Sequence, residues 1–151
     1  MAATLQFELV SPEKLLLSEP VEMVVVPGGE GNFGVLPGHA LLISTVRPGV
    51  IDVYENNRVS ERIFVSGGFA EVTPERCTVL ADEAMPISSL DRHAIDQEAK
   101  RLDATVASLR DQAARVQGAE HEKILSELRS AERHLAVAAA KLAALGADAS
   151  R

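Results

Sequence analysis

Residues 29 to 34 read Gly-Glu-Gly-Asn-Phe-Gly, the G-x-G-x-x-G spacing that can cradle a dinucleotide pyrophosphate. That chemistry needs a strand before the glycines and a helix opening directly after them, so that the helix N-terminus meets the phosphates. The apolar run Val21–Val26 supplies the strand, but Val35-Leu36-Pro37-Gly38 follows, which starts no helix of any length. The glycines therefore fit tight turns and the close approach of a partner. His39, His93, His121 and His134 are scattered, and no pair has metal-ligand spacing with a third ligand nearby. Nothing in the spacing of Ser66, His39 and Asp82 supports a catalytic triad. Cys77, the only cysteine, excludes an internal disulfide and a thiolate zinc site. The apolar residues after it place it in a strand as a small core or surface side chain rather than a reactive thiol. Asp91-Arg92 and Glu98-Ala99-Lys100-Arg101 read as helix-surface charge, or alternatively as a contact for an anion or an acidic partner.

With so little that can do chemistry, the elements that position these residues carry more information. All seven prolines and eight of the ten glycines lie at or before Pro86. Both residue types punctuate sheet proteins and weaken helix interiors. The chain thus divides into a turn-rich β-part, residues 1–86, and a helical part, residues 87–151. Hydrophobic residues make up 46% but aromatics only 3%, so the core must be built from Val, Leu, Ile and Ala. The net charge of -7 lies wholly in the first part, which has five basic and twelve acidic residues, whereas the second has ten of each. That balance argues against nucleic acid as a partner. The N-terminus lacks the pattern of a secretory signal or a transit peptide, and no apolar run reaches the ~18 residues of a membrane span.

Leu5, Phe7 and Leu9 alternate with polar residues as one buried strand face would. Further short runs are expected at 15–17, 21–26, 41–46, 50–54, 59–66, 69–72 and 76–81. They are separated by Ser11-Pro12, Glu19-Pro20, Arg47-Pro48-Gly49, Gly67-Gly68 and Thr73-Pro74-Glu75, with a hairpin turn at Asn56-Asn57. Eight to ten short strands imply a sandwich or barrel. After Pro86, Ser88 and Ser89 can cap a helix whose first turn holds Asp91. Ile95, Leu102, Val106, Leu109, Ala113 and Val116 form its heptad seam, and Ile124, Leu128, Ala131, Leu135, Ala138, Leu142 and Leu145 form that of a second helix. Gln117-Gly118-Ala119 is the break between them and Gly146 a natural stop. Two helices of similar length, roughly 40 Å each, would make an antiparallel hairpin. The alanines on its seam bury little area, so its own stability is marginal and mobility is expected.

The run from Pro27 to Ala40, PGGEGNFGVLPGHA, resembles the signature of the epsilon subunit of bacterial F-type ATP synthase. Val65–Val72 (VSGGFAEV) and Thr78–Asp82 (TVLAD) match two further family segments in order, and residues 5–11 fit the opening strand. The resemblance covers essentially the whole chain, and the family is homologous to the mitochondrial delta subunit. It implies an α+β fold of two segregated parts, a ten-stranded β-sandwich followed by a two-helix hairpin. It implies a non-catalytic rotor subunit of the central stalk, linking the gamma subunit to the c-ring in proton-driven ATP synthesis. Partners would be gamma, the c-ring and the alpha and beta subunits, with no nucleic acid and no direct membrane insertion. The place would be the cytoplasmic face of a bacterial inner membrane.

By the same resemblance, the loop holding Glu30, Gly31, Asn32 and Phe33 faces the c-ring and His39 lies near gamma. The helices can fold down or extend into the catalytic head and restrain ATP hydrolysis, with Arg92, Lys100, Arg101, Arg110, Lys123, Arg129 and Arg133 as candidates to meet acidic residues of beta. Some members bind ATP through Leu/Ile-Asp-x-x-Arg-Ala. Here Leu90-Asp91-Arg92-His93-Ala94-Ile95 keeps the Asp but has Ala94 at the Arg position. Alanine cannot pair with phosphate, so no cofactor is expected, with Asp91 and Arg92 the weak ATP candidates. The alternatives are a nucleotide-sensing binding module and a coiled-coil adaptor.

Overall fold

The structure, a computed structural model, describes residues 3–149. It divides into two compact units, one up to Ser89 and one from Leu90 onward. Ten strands fill the first: β1 (Leu5–Val10), β2 (Leu15–Val21), β3 (Met23–Gly28), β4 (Gly31–Val35), β5 (Leu42–Val46), β6 (Gly49–Glu55), β7 (Arg58–Val65), β8 (Gly68–Val72), β9 (Arg76–Ala81) and β10 (Ala84–Pro86). They form one curled sheet in the order β10-β7-β6-β3-β5-β8-β9-β1-β2, with β4 paired to β3. The β3–β5 junction is a single register pair, Gly28 with Val46. The sheet folds there into a sandwich, and β2 closes over β6 on the far side. All pairs are antiparallel except β1 with β9.

The alternation seen in the sequence puts the apolar set inside. Leu5, Phe7, Leu9, Val24, Val26, Ile51, Val53, Val72 and Val79 are all buried in one cluster. Asn56 and Asn57 have φ of 55° and 60°, the left-handed pair of a two-residue hairpin turn, and they join β6 to β7 as expected. The expected buried strand 21–26 is instead two strands broken at Glu22. Val21 ends β2, while β3 continues through Pro27 to Gly28. Pro20 sits in β2 because that strand is an edge and its missing N–H costs no ladder bond. At the Arg47-Pro48 corner β5 and β6 do not pair with each other but lie on either side of β3, β5 joining it only at the single Gly28–Val46 pair, so the corner carries the chain from one layer to the other.

A 3-10 turn at Ile87–Ser89 buries Ile87 and packs on β7, which is why the first unit extends past Pro86. Helix α1 (Arg92–Ala113) is capped by Asp91, not by Ser88 or Ser89. The Asp91 carboxylate accepts from the N–H groups of His93 and Ala94 at 3.1 and 3.3 Å. The two serines are consumed in the 3-10 turn, where Ser89 Oγ donates to Pro86 O. Helix α2 (Gly118–Ala149) starts at the expected break, on Gly118 at φ 71°. It runs through Gly146 instead of stopping there, because glycine ends a helix only when it turns left-handed, and Gly146 does not. The helices are therefore unequal, 22 and 32 residues or roughly 33 and 48 Å. Val106, Leu109, Ile124, Leu128 and Ala131 form the seam's core, with Ala113, Val116 and Leu135 half-buried against it.

Candidate docking surfaces

β3 and β4 form a hairpin whose tip, Gly29-Glu30, runs beside β5, with Glu30, Gly31 and Asn32 exposed and Phe33 half-buried. The glycine-rich run is therefore a β-hairpin, and the strand that follows it removes any dinucleotide site. A Cβ at Gly29 would fall on Thr45 Oγ1, so any other residue there requires the Thr45 side chain to turn away. Four hydrogen bonds tie the tip to its surroundings. Gly29 N–H donates to Thr45 O at 2.9 Å and Arg47 N–H to Pro27 O at 2.9 Å. The Arg47 guanidinium donates to Gly28 O and to Asn32 Oδ1, the latter at 2.6 Å. An open groove separates the tip from β5, lined by Asn32, Phe33, Ile43 and Thr45 among others.

That groove continues into an apolar surface. Register places Thr45 opposite Phe69, Phe69 opposite Leu80 and Leu80 beside Val10, all on the outer face, with Ile43 two residues along β5. Ile43 is 77% exposed, Phe69 57% and Leu80 53%. Three large apolar side chains on one solvent face, Phe69 and Leu80 directly paired and Ile43 diagonal to Phe69, mark a contact surface. Sequence reasoning passed over this row. Its signal was present in the adjacent apolar pairs Phe69-Ala70 and Val79-Leu80, which make both faces of a strand apolar.

His39 does not join the hairpin tip. Its N–H donates to Leu36 O and its ring pairs with Ala40 O, and Gly38 N–H donates to Pro74 O. That places it before the Leu42 end of β5, whereas the tip is bonded to β5 at Thr45. Ser66 and Asp82 sit at the Val46 end too, so no triad with His39 forms. Cys77 is fully buried, and burial pushes its thiol up to about 12.

The basic residues of the hairpin divide into two groups. Lys100 pairs with Asp96 at 3.1 Å, Arg101 with Glu98 at 3.7 Å, and Arg110 bridges to Glu132 of the other helix at 3.4 Å. Arg92, Lys123, Arg129 and Arg133 are exposed and have no ion pair among the described residues. Only Arg129 and Arg133, one turn apart, share a face; Arg92 opens α1 and Lys123 lies near the interhelical turn. Next to Arg92, Asp91 uses its Oδ1 to cap α1, accepting from the His93 and Ala94 N–H groups. His121, three residues before Ile124, has a structural role at the end of the seam, its Nδ1 pairing at 2.9 Å with Ala113 O to tie the two helices at the turn. Among the described residues, no group of three His, Cys, Asp or Glu is arranged to hold a metal, and no helix is long and apolar enough to cross a membrane.

A β-sandwich with an apolar outer row and a braced hairpin, followed by a charged helical pair, makes this a protein of two distinct modules. The comparisons name its family. Residues 4–87 match the family described as ATP synthase, Delta/Epsilon chain, beta-sandwich domain. An ATP synthase epsilon chain of Rhodospirillum rubrum is 52% identical over 133 residues, 88% of this chain and 99% of its own length. That of Rhodospirillum centenum is 59% identical over 113 residues, 74% of this chain and 75% of its own. A chain in the cryo-electron microscopy structure of Euglena gracilis mitochondrial ATP synthase (OSCP, F1 and c-ring, rotational state 1) has the same fold. Its TM-score is 0.65 at 24% identity, covering 96% of this chain and 83% of that one. The chain belongs to the ATP synthase delta/epsilon family.

Proposed function

We propose that this chain is a non-catalytic central-stalk subunit of an F-type ATP synthase, held on the membrane only through its partners. The observation that carries this beyond family membership is the exposed row Ile43, Phe69 and Leu80, continuous with the groove beside the β3–β4 hairpin. An apolar strip of this kind stays out of water only in an assembly. In this reading the strip packs on gamma and the hairpin tip, with Glu30 and Asn32, meets the c-ring. The helical pair restrains ATP hydrolysis by the catalytic head. Its candidates for acidic partners narrow to the cations with no internal pair, Arg92, Lys123, Arg129 and Arg133, with Arg129 and Arg133 foremost because they lie together.

The proposal includes no role for ATP as a ligand of this chain. Asp91 Oδ1 serves the helix cap, and Ala94 offers no donor to phosphate. Calorimetric titration with ATP should give no binding heat; saturable binding would favour the nucleotide-sensing reading instead.

The test of the main reading is ATP hydrolysis by a catalytic head containing gamma, with and without this chain, set beside a chain ending at Ser89. Full-length protein should bind and suppress hydrolysis, while the shorter chain binds without suppressing it. Suppression by both would place the brake in the sandwich. Failure of both to bind a matched gamma would overturn the stalk assignment.

A further inference from the structure

We infer that Arg47 is the residue that presets the β3–β4 hairpin tip for docking, acting as a two-pronged brace and not as a partner-binding charge. This rests on the reading above that the tip meets the c-ring. At the tip the β3–β5 contact is down to one register pair and the Gly29 N–H bond to Thr45 O. Arg47 adds a side-chain hold. Its side chain reaches back 19 residues to Gly28 O and 15 residues to Asn32 Oδ1, spanning the base of the tip. Its own N–H holds Pro27 O. The following Pro48 restricts Arg47 to extended backbone, which fixes the direction from which the side chain leaves the corner.

Arg47 is exposed, and no carboxylate pairs with it among the described residues. Both guanidinium hydrogen bonds it makes go to the hairpin. A planar guanidinium can serve both acceptors at once, whereas a lysine ammonium has no rigid fork. A tip ordered before contact spares the assembly the entropy of ordering it at contact.

The test uses the full chain and three variants, Arg47→Lys, Arg47→Ala and Glu30→Ala. Amide hydrogen exchange of residues 30–33 in the free protein should speed up on the order of tenfold in both Arg47 variants, while exchange in β1 and β9 stays unchanged. Affinity for a detergent-solubilised c-ring carrying gamma should fall on the order of fivefold to tenfold in both, the lysine failing to rescue. Glu30→Ala should weaken that binding without changing exchange in the free protein. Unchanged exchange in the Arg47 variants, or full rescue by lysine, overturns the brace. If Glu30→Ala weakens binding and the Arg47 variants do not, the brace does not matter for docking and the inference fails alone. If none of the three alters binding, the c-ring reading of the tip fails and takes the docking role with it.

Discussion

At the scale of single residues, the most consequential side chain is one that no motif marks. Glu19 stands opposite Phe7 in the β1–β2 ladder and therefore faces inward, where β2 closes over β6. Its Oε1 is buried with no donor. Burial, then a hydrogen bond that needs a proton shared with Glu61, then the negative charges of Glu61 and Glu55, push its carboxyl up from 4.5 to about 7. The folded protein thus holds this proton more tightly than the unfolded chain does. The contribution to stability is complete below about pH 4.5 and is lost as pH rises through about 7. Melting temperature should therefore decline between pH 5.5 and 8, and Glu19→Gln should flatten that slope. At pH 8 the variant should be more stable by about 1 kcal/mol, solvent screening being allowed for. An unchanged slope would show that Glu19 is not the titrating group. Cys77 gives a second check, since a fully buried thiol raised to about 12 should resist iodoacetamide in the folded protein and react at once in denaturant. Mass spectrometry reads both states.

At the scale of elements, the two helix starts show how local chemistry competes. The expected capping serines lie in a 3-10 turn, and the cap falls to Asp91, whose carboxylate reaches two N–H groups. Asp91→Ala should cost about 1 kcal/mol and fray the first turn of α1, visible as lost helical circular dichroism and faster exchange at His93 and Ala94. The centre of the interhelical seam was legible from heptad steps, at Val106, Leu109, Ile124, Leu128 and Ala131, whereas Ile95, Leu102, Ala138, Leu142 and Leu145 lie outside that cluster and Leu125 packs against it unexpectedly. Leu128→Ala should cost about 2–4 kcal/mol and loosen the helical unit while leaving the sandwich's exchange pattern intact. Within the sandwich, Gly68 cannot be replaced. A Cβ there would fall on the Leu80 carbonyl, and its φ of 142° strains any other residue. Gly68→Ala should disrupt β8–β9 pairing and leave the protein largely insoluble.

At the scale of the whole molecule, the two units answer to different kinds of information. The division near Pro86, the strand alternation, the Asn56-Asn57 turn and the centre of the helical seam were all readable, because each depends on neighbours a few residues apart: proline and glycine placement, period two, and period three to four. The family signature around Pro27–Ala40 was readable for the same reason. Three things came only from tertiary structure. The junction at Gly28 and Val46 that folds one sheet into two layers joins strands without a shared turn. The outer row Ile43, Phe69 and Leu80 is assembled from three strands whose register no local pattern sets. The inward Glu19 and the Arg47 brace depend on partners 15 to 42 residues away in the chain. Local sequence decides which elements form, since backbone propensity and burial period act within an element. Which surfaces and polar groups those elements bring together is decided by long-range packing, which is where the chain's docking surfaces arise.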